Sequence, residues 1–560
     1  MPFKRLLFYV YASSLALAQT QLQVDTLRTQ LQSIQDKAAE SLQIVESPSR
    51  PLNWKELVDA DAAGVQLLAG QTRTTLSQVT TRSTYVSSGT NLQAALDLAQ
   101  PGDTLVLEAG VEYKGNFILP AKAGTGVITI TSSRMAELPA AGQRVTPANN
   151  VAMPRIVSAN GSAALATAPG AHHYRIVGVE FTTPAGVYNG SIVQLGSGND
   201  TTDAALPYEI ELDRVYIHGD PTVGSKRGVA FNGKALTVRN SWISDIKSNT
   251  QDAQAVCGWN GPGPFVITNN RLEATGENIM FGGAEPALVG VTPSDITITA
   301  NHITKPLSWR GSWPVKNLLE LKTGRRVLIS GNILENNWTS LQVGYAILLK
   351  PGAENVKTIA ITSDVTITNN IVRHSAGGIN ILGHNTTGGS VTNVIIRNNL
   401  FDDLGANWGG SPSLFSIIAG GNGIIIENNT AISTTLNTAL TFDGTYTASN
   451  FVMRSNIIGR GNYGVKGSGI AEGAATLTKY TPASIFTNNV IYGPGFNSAV
   501  YPSMNYFTAA VADIGFEDLA AGNVALRAGS LYKSKGANGR DPGVDYAAVT
   551  AATKTVINGR

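Results

Sequence analysis

Alternating apolar and polar residues recur along most of the chain, and each copy ends in an asparagine followed by apolar residues, as in "FVITNNRL" and "VTITNNIV". A period of two predicts β-strands with one buried face. The aligned asparagines are 27 to 38 residues apart: Asn240, Asn270, Asn301, Asn332, Asn370, Asn399, Asn429, Asn456 and Asn489. Two earlier copies, "IELDRVYI" and "YRIVGVEF", carry Arg214 and Gly178 at the same place.

A repeat of about thirty residues with variable spacing is typical of a solenoid, because stacking fixes the strands while the turns vary. We therefore predict an all-β fold, a single-stranded right-handed parallel β-helix. Inward asparagines on successive coils are expected to form a hydrogen-bonded ladder. A β-propeller needs about four strands per 40–45 residues and a leucine-rich repeat needs a Leu-dense consensus, and neither pattern is present.

The N-terminus predicts export. Lys4 and Arg5 precede an apolar run that ends in a small-x-small site, so residues 1–18 are predicted to be a signal peptide of a secreted, surface or periplasmic protein. Residues 19–48 carry an apolar stripe at helical spacing and form either a packed or loose helix or a short oligomerising coiled coil. The chain is accordingly expected to be a monomer or an oligomer joined by this helix.

Residues 49–84 are interpreted as a linker or cap region, and residues 85–560 as the β-helix domain. Thr90 or Asn91 can cap a short helix that covers the open end of the solenoid. Cys257 is the only cysteine, so no internal disulfide can form, and a small buried side chain is expected there.

Charge and hydropathy argue against two kinds of partner, nucleic acid and the membrane interior. The net charge is +2 and only 14% of residues are charged, which argues against nucleic acid, because phosphate binding needs concentrated Lys and Arg. No segment after the signal peptide reaches about 18 consecutive apolar residues, so no membrane insertion is expected.

Aromatic and charged residues cluster between residues 213 and 408, where six of the seven tryptophans lie. Tryptophans beside polar side chains can stack on sugar rings, although they can equally plug loops onto the body. A polysaccharide is therefore the expected partner. The predicted substrate-binding residues are Trp259, Trp309, Arg310, Trp313, Trp338, Asn278 and Asn317, and "PLSWRGSWPVK" at 306–316 is predicted to be a protruding loop.

Aligning the second strand of successive coils, as in "AQAVCGW" and "KNLLELK", predicts a polar strip Gln254–Asn278–Asn317 beside a Glu277–Lys316 pair. The same alignment places an inward column through Ala255, Ile279, Leu318, Ile347 and Ile379. Glu320 then shares an inward column with Cys257. Either the register slips by one, which exposes Glu320 and Lys322, or Glu320 is buried and paired, because a lone buried carboxylate is very costly.

Residues 85–560 resemble the pectate-lyase-like superfamily of right-handed β-helix proteins, from the opening "LQAALDLAQPGDTLVLEAGVEYKGNF" to a last coil "GFEDLAAGNVALRAG". "LLELKTGRRVLISGN" is similar to lyases of the alginate lyase and chondroitinase B type. That resemblance implies that the bound polysaccharide is acidic and is cleaved by β-elimination, with Lys322 as the base, Glu320 and Glu277 as ligands of a metal such as Ca²⁺, and Lys316 and Lys350 as further catalytic candidates. The neighbouring glutamate and the later Arg-His-Gly segment of those lyases are missing.

Two alternatives remain open at this point, because a solenoid fold hosts unrelated functions. The first is a non-catalytic surface or adhesin-like solenoid. The second is a glycoside hydrolase, for which Asp402, Asp403 and His384 are the candidate residues.

Overall fold

The computed structural model describes residues 81–557. The predicted signal peptide, the 19–48 helix and nearly all of the 49–84 region lie outside the described residues. Of the described chain, a small unit holds only residues 81–82, 100–103 and 123–127. All that follows concerns the larger unit, which comprises 83–99, 104–122 and 128 onward.

The larger unit is a parallel β-helix, as predicted, because each strand pairs in parallel with its equivalent in the next coil. Three long sheets run along it. The first sheet contains the strands that precede each asparagine bend: Ser83–Val86, Thr104–Leu107, Ile128–Ser132, His172–Val177, Tyr208–Asp213, Lys234–Arg239, Phe265–Thr268, Ser294–Thr299, Gly324–Ser330, Ile361–Thr368, Ser390–Arg397, Gly421–Glu427, Ala448–Ser449, Val452–Arg454 and Ile485–Thr487.

The second sheet follows the bend, and the third follows a further turn in each coil. The second contains Glu112–Lys114, Arg155–Val157, Glu180–Thr182, Tyr216–His218, Trp242–Ile246, Arg271–Ala274, His302–Thr304, Ile333–Asn337, Ile371–Ser375, Leu400–Leu404, Thr430–Ile432, Ile457–Gly459, Val490–Tyr492 and Tyr506–Thr508. The third contains Phe117–Leu119, Leu165–Thr167, Val193–Leu195, Arg227–Phe231, Gln254–Gly258, Ile279–Phe281, Leu319–Leu321, Tyr345–Leu349, Gly377–Leu382, Ser413–Ile418, Thr438–Asp443 and Val465–Gly467.

An asparagine ladder runs through the interior bend between the first and second sheets. Each rung donates from Nδ2 to the Oδ1 atom of the next rung, as from Asn270 to Asn301 at 3.0 Å and from Asn370 to Asn399 at 2.9 Å. The rungs are Asn270, Asn301, Asn332, Asn370, Asn399, Asn429, Asn456, Asn489 and Asn505.

The prediction of Asn240 as a rung is wrong by one residue. Trp242 pairs with Arg271, so Ser241 stands in the ladder column, and its N–H donates to Asn270 Oδ1. Asn240, like Arg214, occupies the preceding left-handed position, with φ of 54° and 52°. This position needs a residue that tolerates positive φ, which explains why asparagine also recurs there.

Aliphatic side chains fill the coil interior, where one cluster runs from Val86 to Tyr501. The predicted cap is present as helix Leu92–Leu98, where the Asn91 side chain accepts from the Ala94 N–H and Leu92 and Leu96 are buried. Cys257 is buried and free.

The C-terminal segment packs outside the second sheet, where Ile457 and Val490 share an apolar cluster with Phe516 and Val549. Its elements are helix Tyr546–Thr553 and the antiparallel strands Phe516–Asp518 and Asn523–Leu526. The remaining helix is Ala474–Tyr480, and short 3₁₀ turns are Met135–Glu137, Pro147–Ala152, Asp203–Ala205, Leu307–Trp309, Ala406–Trp408, Ser498–Val500, Val511–Ile514 and Ala537–Gly539. Between residues 81 and 557, no helix has the length and apolar character to cross a membrane.

Candidate functional site

The register of the third sheet determines where Glu320 points. Leu319 pairs with Ile279 and Ile347, whereas Glu320 pairs with Met280 and Leu348. The predicted alignment on Leu318 is therefore wrong by one residue. Leu318 and Leu319 both enter the core at the corner, so the alternation along the strand starts one residue later than the sequence suggested.

The slipped register turns Glu320 to the outer face of the coil but does not expose it. Neighbouring residues cover Glu320, which is only 1% exposed, and Glu277 on the preceding coil is equally buried. The two carboxyl groups contact each other. Burial first, and then the charge of Glu277, raise the pKa of Glu320 to about 8, although Lys322 opposes this shift.

The polar strip contains Gln254, Glu277 and Asn317, and the predicted place of Asn278 in it is wrong. Gln254 Nε2 donates to Glu277 Oε2 at 2.9 Å, and Asn317 Nδ2 lies 3.4 Å from Glu320 Oε2. Asn278 instead points away from this face and donates to the carbonyl oxygens of Leu272 and Thr304.

Lys322 lies beside the carboxyl pair. Its side chain is 24% exposed, and its ammonium lies 3.7 Å from Glu354 Oε1. Burial lowers the pKa of Lys322, but the charges of Glu320 and Glu354 outweigh burial, so the net shift is upward. Because Leu321 pairs with Leu349, the half-buried Lys350 occupies the same column one coil further on.

Lys316 does not form the predicted pair with Glu277. Its ammonium binds Asp252 Oδ2 at 2.5 Å, at the edge of the same face. The prediction failed because the register slip brings Asn317, not Lys316, next to Glu277 in the strip.

The donor chemistry of the strip fits a hard cation. Gln254 Oε1 is buried and has no hydrogen-bond partner in the structure, although its amide nitrogen holds Glu277. Together with the carboxyl groups of Glu277 and Glu320, it makes three side chains that offer oxygen, the ligand type that Ca²⁺ prefers. Across residues 81–557, no cluster of three or more His, Cys, Asp or Glu side chains suitable for a metal is found.

The tryptophans mainly fasten loops. Trp309 and Trp338 are 5% and 3% exposed and pack with Val315, Trp313 and Trp408. The Lys247 ammonium lies over the rings of Trp309 and Trp313, at 5.5 and 5.1 Å. The prediction that Trp309 and Trp338 are exposed rings for sugar stacking is therefore wrong, because these rings pack the 306–316 loop against the β-helix.

Of the other predicted sugar contacts, Trp259, Trp313 and Arg310 remain partly accessible, whereas Asn278 and Asn317 are buried. Trp259 is half-buried, and the Arg227 guanidinium lies 4.8 Å from its ring. Trp313 is also half-buried, and Arg310 is exposed at the loop tip, where it donates to the Asn407 carbonyl.

The hydrolase candidates do not come together. Asp402 and Asp403 lie on the second-sheet strand Leu400–Leu404, whereas His384 follows a strand of the third sheet. Asp403 accepts from Trp408 at 2.8 Å and pairs with His374 at 2.9 Å, which indicates a structural role.

Sequence reasoning gave no role to Asp252, Glu354 or Lys305. Asp252 and Glu354 belong to turns, whose contacts depend on how neighbouring coils stack. The one available signal for Lys305 was its position directly after a predicted strand and before the protruding loop.

Comparisons with known proteins gave structural likeness only. No protein-family model matches the chain. No curated protein matches it either. A PL6 family alginate lyase, AlyGC, is similar in structure at 14% identity and a TM-score of 0.48. The match covers 83% of this chain but only 58% of that one.

Two further solved structures are also similar. A mannuronic acid specific family 6 polysaccharide lyase from human gut microbiota shows 12% identity and a TM-score of 0.44, over 78% of this chain and 89% of that one. The tailspike protein of E. coli bacteriophage HK620, solved with a hexasaccharide, shows 12% identity and a TM-score of 0.40, over 75% and 73%.

Proposed function

We propose that this chain binds an acidic polysaccharide on the outer face of its third sheet and cleaves it by β-elimination. The observation that carries the proposal is the buried Glu277–Glu320 carboxyl pair beside the partly exposed Lys322, on adjacent coils. Hydrolysis suits this geometry less well, because the paired carboxyls of glycoside hydrolases stand at least about 5 Å apart.

The face favours an anionic sugar polymer. Lys322 and Lys350 are stacked on neighbouring coils, and Lys316 lies at the edge of the same face. Consecutive coils are about 4.8 Å apart, which is close to the length of one sugar unit. A uronate chain that runs along the helix axis can therefore meet one lysine per unit.

The reaction needs a base and an acid. The neutral Lys322 amine takes the proton from the carbon next to the uronate carboxylate. The electron pair of that C–H bond becomes a carbon–carbon double bond while the glycosidic C–O bond breaks. The Lys350 ammonium gives a proton to the departing oxygen, so atoms and charge balance.

A cation would complete the charge balance at the substrate carboxylate. Glu277, Glu320 and Gln254 would hold it, and when bound it would neutralise the carboxylate and acidify the neighbouring proton. The same positive charge would lower the pKa of Lys322, which the negative neighbours raise in the structure as it stands.

A lyase assay tests this proposal. The full chain is incubated with several uronate polymers and Ca²⁺ while the absorbance of unsaturated products is followed. Lys322→Met should abolish product formation, and the matched control Lys357→Met, at an exposed turn residue, should retain it. Full activity in Lys322→Met would show that another residue is the base. The absence of product from every acidic polymer would refute the proposed lyase activity.

We further propose that the chain is exported and that residues 1–18 are removed, which suits a polymeric substrate outside the cell. N-terminal sequencing of the protein recovered from a secreting host should begin after Ala18, and an intact Met1 would contradict export. Sedimentation with and without residues 19–48 separates a monomer from a helix-mediated oligomer.

A further inference from the structure

Lys305 is fully buried, and five oxygen atoms surround its ammonium group. Nζ lies 2.8 Å from the Ala274 and Gly276 carbonyl oxygens and 3.0 Å from Asn278 Oδ1. The Asn317 and Thr275 carbonyl oxygens follow at 3.2 and 3.3 Å. Four of the five ligands are therefore main-chain carbonyls.

This environment selects the charged form of the side chain. An ammonium has three N–H donors and no acceptor, so a cage made only of oxygens satisfies it. A neutral amine would have to turn its lone pair toward one of these oxygens. Burial lowers the pKa of Lys305 to about 7, although the negative charge of Glu277 opposes that shift, so the ammonium form is the one present below neutral pH.

The ligands of Lys305 come from two coils. Thr275 and Gly276 form the turn that leads to Glu277 on one coil. Lys305 opens the 306–316 loop of the next coil, and Asn317 follows the end of that loop. A single ammonium therefore ties both ends of the loop to the turn that carries Glu277.

We propose that Lys305 is a built-in cation that takes the place of a structural metal ion and holds the Glu277 turn and the base of the 306–316 loop together. It is a positioning residue for the carboxyl pair. Its catalytic consequence rests on the proposed lyase function, but the positioning itself does not.

The first test uses the wild-type protein without substrate. Lysine labelled with ¹⁵N at Nζ should show one ammonium resonance with slowly exchanging protons at pH 6, which disappears in Lys305→Met. A neutral amine at pH 6, or ammonium protons that exchange as fast as those of surface lysines, would overturn the proposal.

The second test compares Lys305→Met with Lys234→Met, a lysine that pairs with Asp203 at the surface. Lys305→Met should speed amide exchange at 274–278 and 305–317 at least tenfold, whereas Lys234→Met should leave it as in wild type. Unchanged exchange in a folded Lys305→Met protein would overturn the proposal.

A third variant covers the case in which Lys305→Met does not fold. Lys305→Ala leaves space for a small cation, so ethylammonium or K⁺ at high concentration should restore folding and amide protection, whereas neutral propanol should not. Equal rescue by propanol, or none by either cation, would show that packing rather than charge is what matters. Both readouts are taken without substrate, so loss of the lyase proposal would leave them unaffected.

Discussion

Glu277 and Glu320 belong to different coils, yet their carboxyl groups touch on the outer face of the third sheet and each is only 1% exposed. Two carboxyl groups in such contact cannot both ionise easily, so one retains its proton to unusually high pH. Lys322 lies close enough for the negative charge of this pair to raise the pKa of its ammonium group. Ionisation of both groups is therefore unfavourable in the absence of a bound cation, which makes the pair a candidate cation site.

The first prediction concerns stability. The pKa of Glu320 is raised to about 8, so between about pH 4.5 and 8 the folded protein keeps a proton that the unfolded chain releases. Stability should therefore fall as the pH rises through this window. Glu320→Gln should flatten the decline, measured by reversible denaturant unfolding at pH 5, 7 and 9. The exposed control Glu517→Gln should follow wild type, and an equally steep decline in Glu320→Gln would contradict the assignment.

The second prediction concerns the pH dependence of cleavage. Burial lowers the pKa of Lys322, but the negative charges of Glu320 and other carboxylates raise it by more, so the net shift is upward. The neutral base therefore becomes abundant only at alkaline pH. We expect the rate to rise with pH in that range. Glu320→Gln should move the rise to lower pH even if its maximal rate is reduced. A profile that stays in place would show that Lys322 is not the titrating base.

The third prediction concerns calcium. Removal of divalent cations with a chelator should lower the cleavage rate, and added Ca²⁺ should restore it. Titration calorimetry should find one Ca²⁺ site in wild type that is lost in Glu277→Gln and weakened in Gln254→Leu. Undiminished Ca²⁺ binding in Glu277→Gln would place the cation elsewhere.

The fourth prediction concerns the ladder. The Asn370 side chain donates to the Ile329 carbonyl at 2.9 Å and to Asn399, and it accepts from the Asn332 N–H. Asn370→Ala leaves several buried groups unpaired, so it should cost about 3 kcal/mol or more of unfolding free energy. Asn505→Ala, at the half-buried last rung of the ladder, should cost about 1 kcal/mol of unfolding free energy. Equal losses at both positions would argue against a cooperative ladder.

The sequence predicted the fold because the fold repeats. Any single copy such as "VTITNNIV" is ambiguous, but copies at a common spacing share one explanation, the stacked coil. The shift at Asn240 arose because two adjacent positions, the left-handed residue and the ladder residue, both favour asparagine. Only the strand pairing distinguishes them.

The site was predicted in part. The sequence singled out Glu277, Glu320 and Lys322, but it could not supply the register, because Leu318 and Leu319 are equally apolar and the long loop before them hides the alternation. The burial of Trp309 depends on how the loop folds back onto Lys247, a contact between residues far apart in sequence. The cage of Lys305 consists mostly of main-chain oxygens, which side-chain patterns do not reveal.

The most direct test of the central claim is to cleave a defined oligouronate with the full chain in oxygen-18 water and to weigh the products by mass spectrometry. β-Elimination predicts an unsaturated fragment and a partner whose new end carries no solvent oxygen, in wild type but not in Lys322→Met. Saturated fragments that incorporate oxygen-18 would show hydrolysis, and an oligouronate that is recovered intact would show that this face does not cleave it.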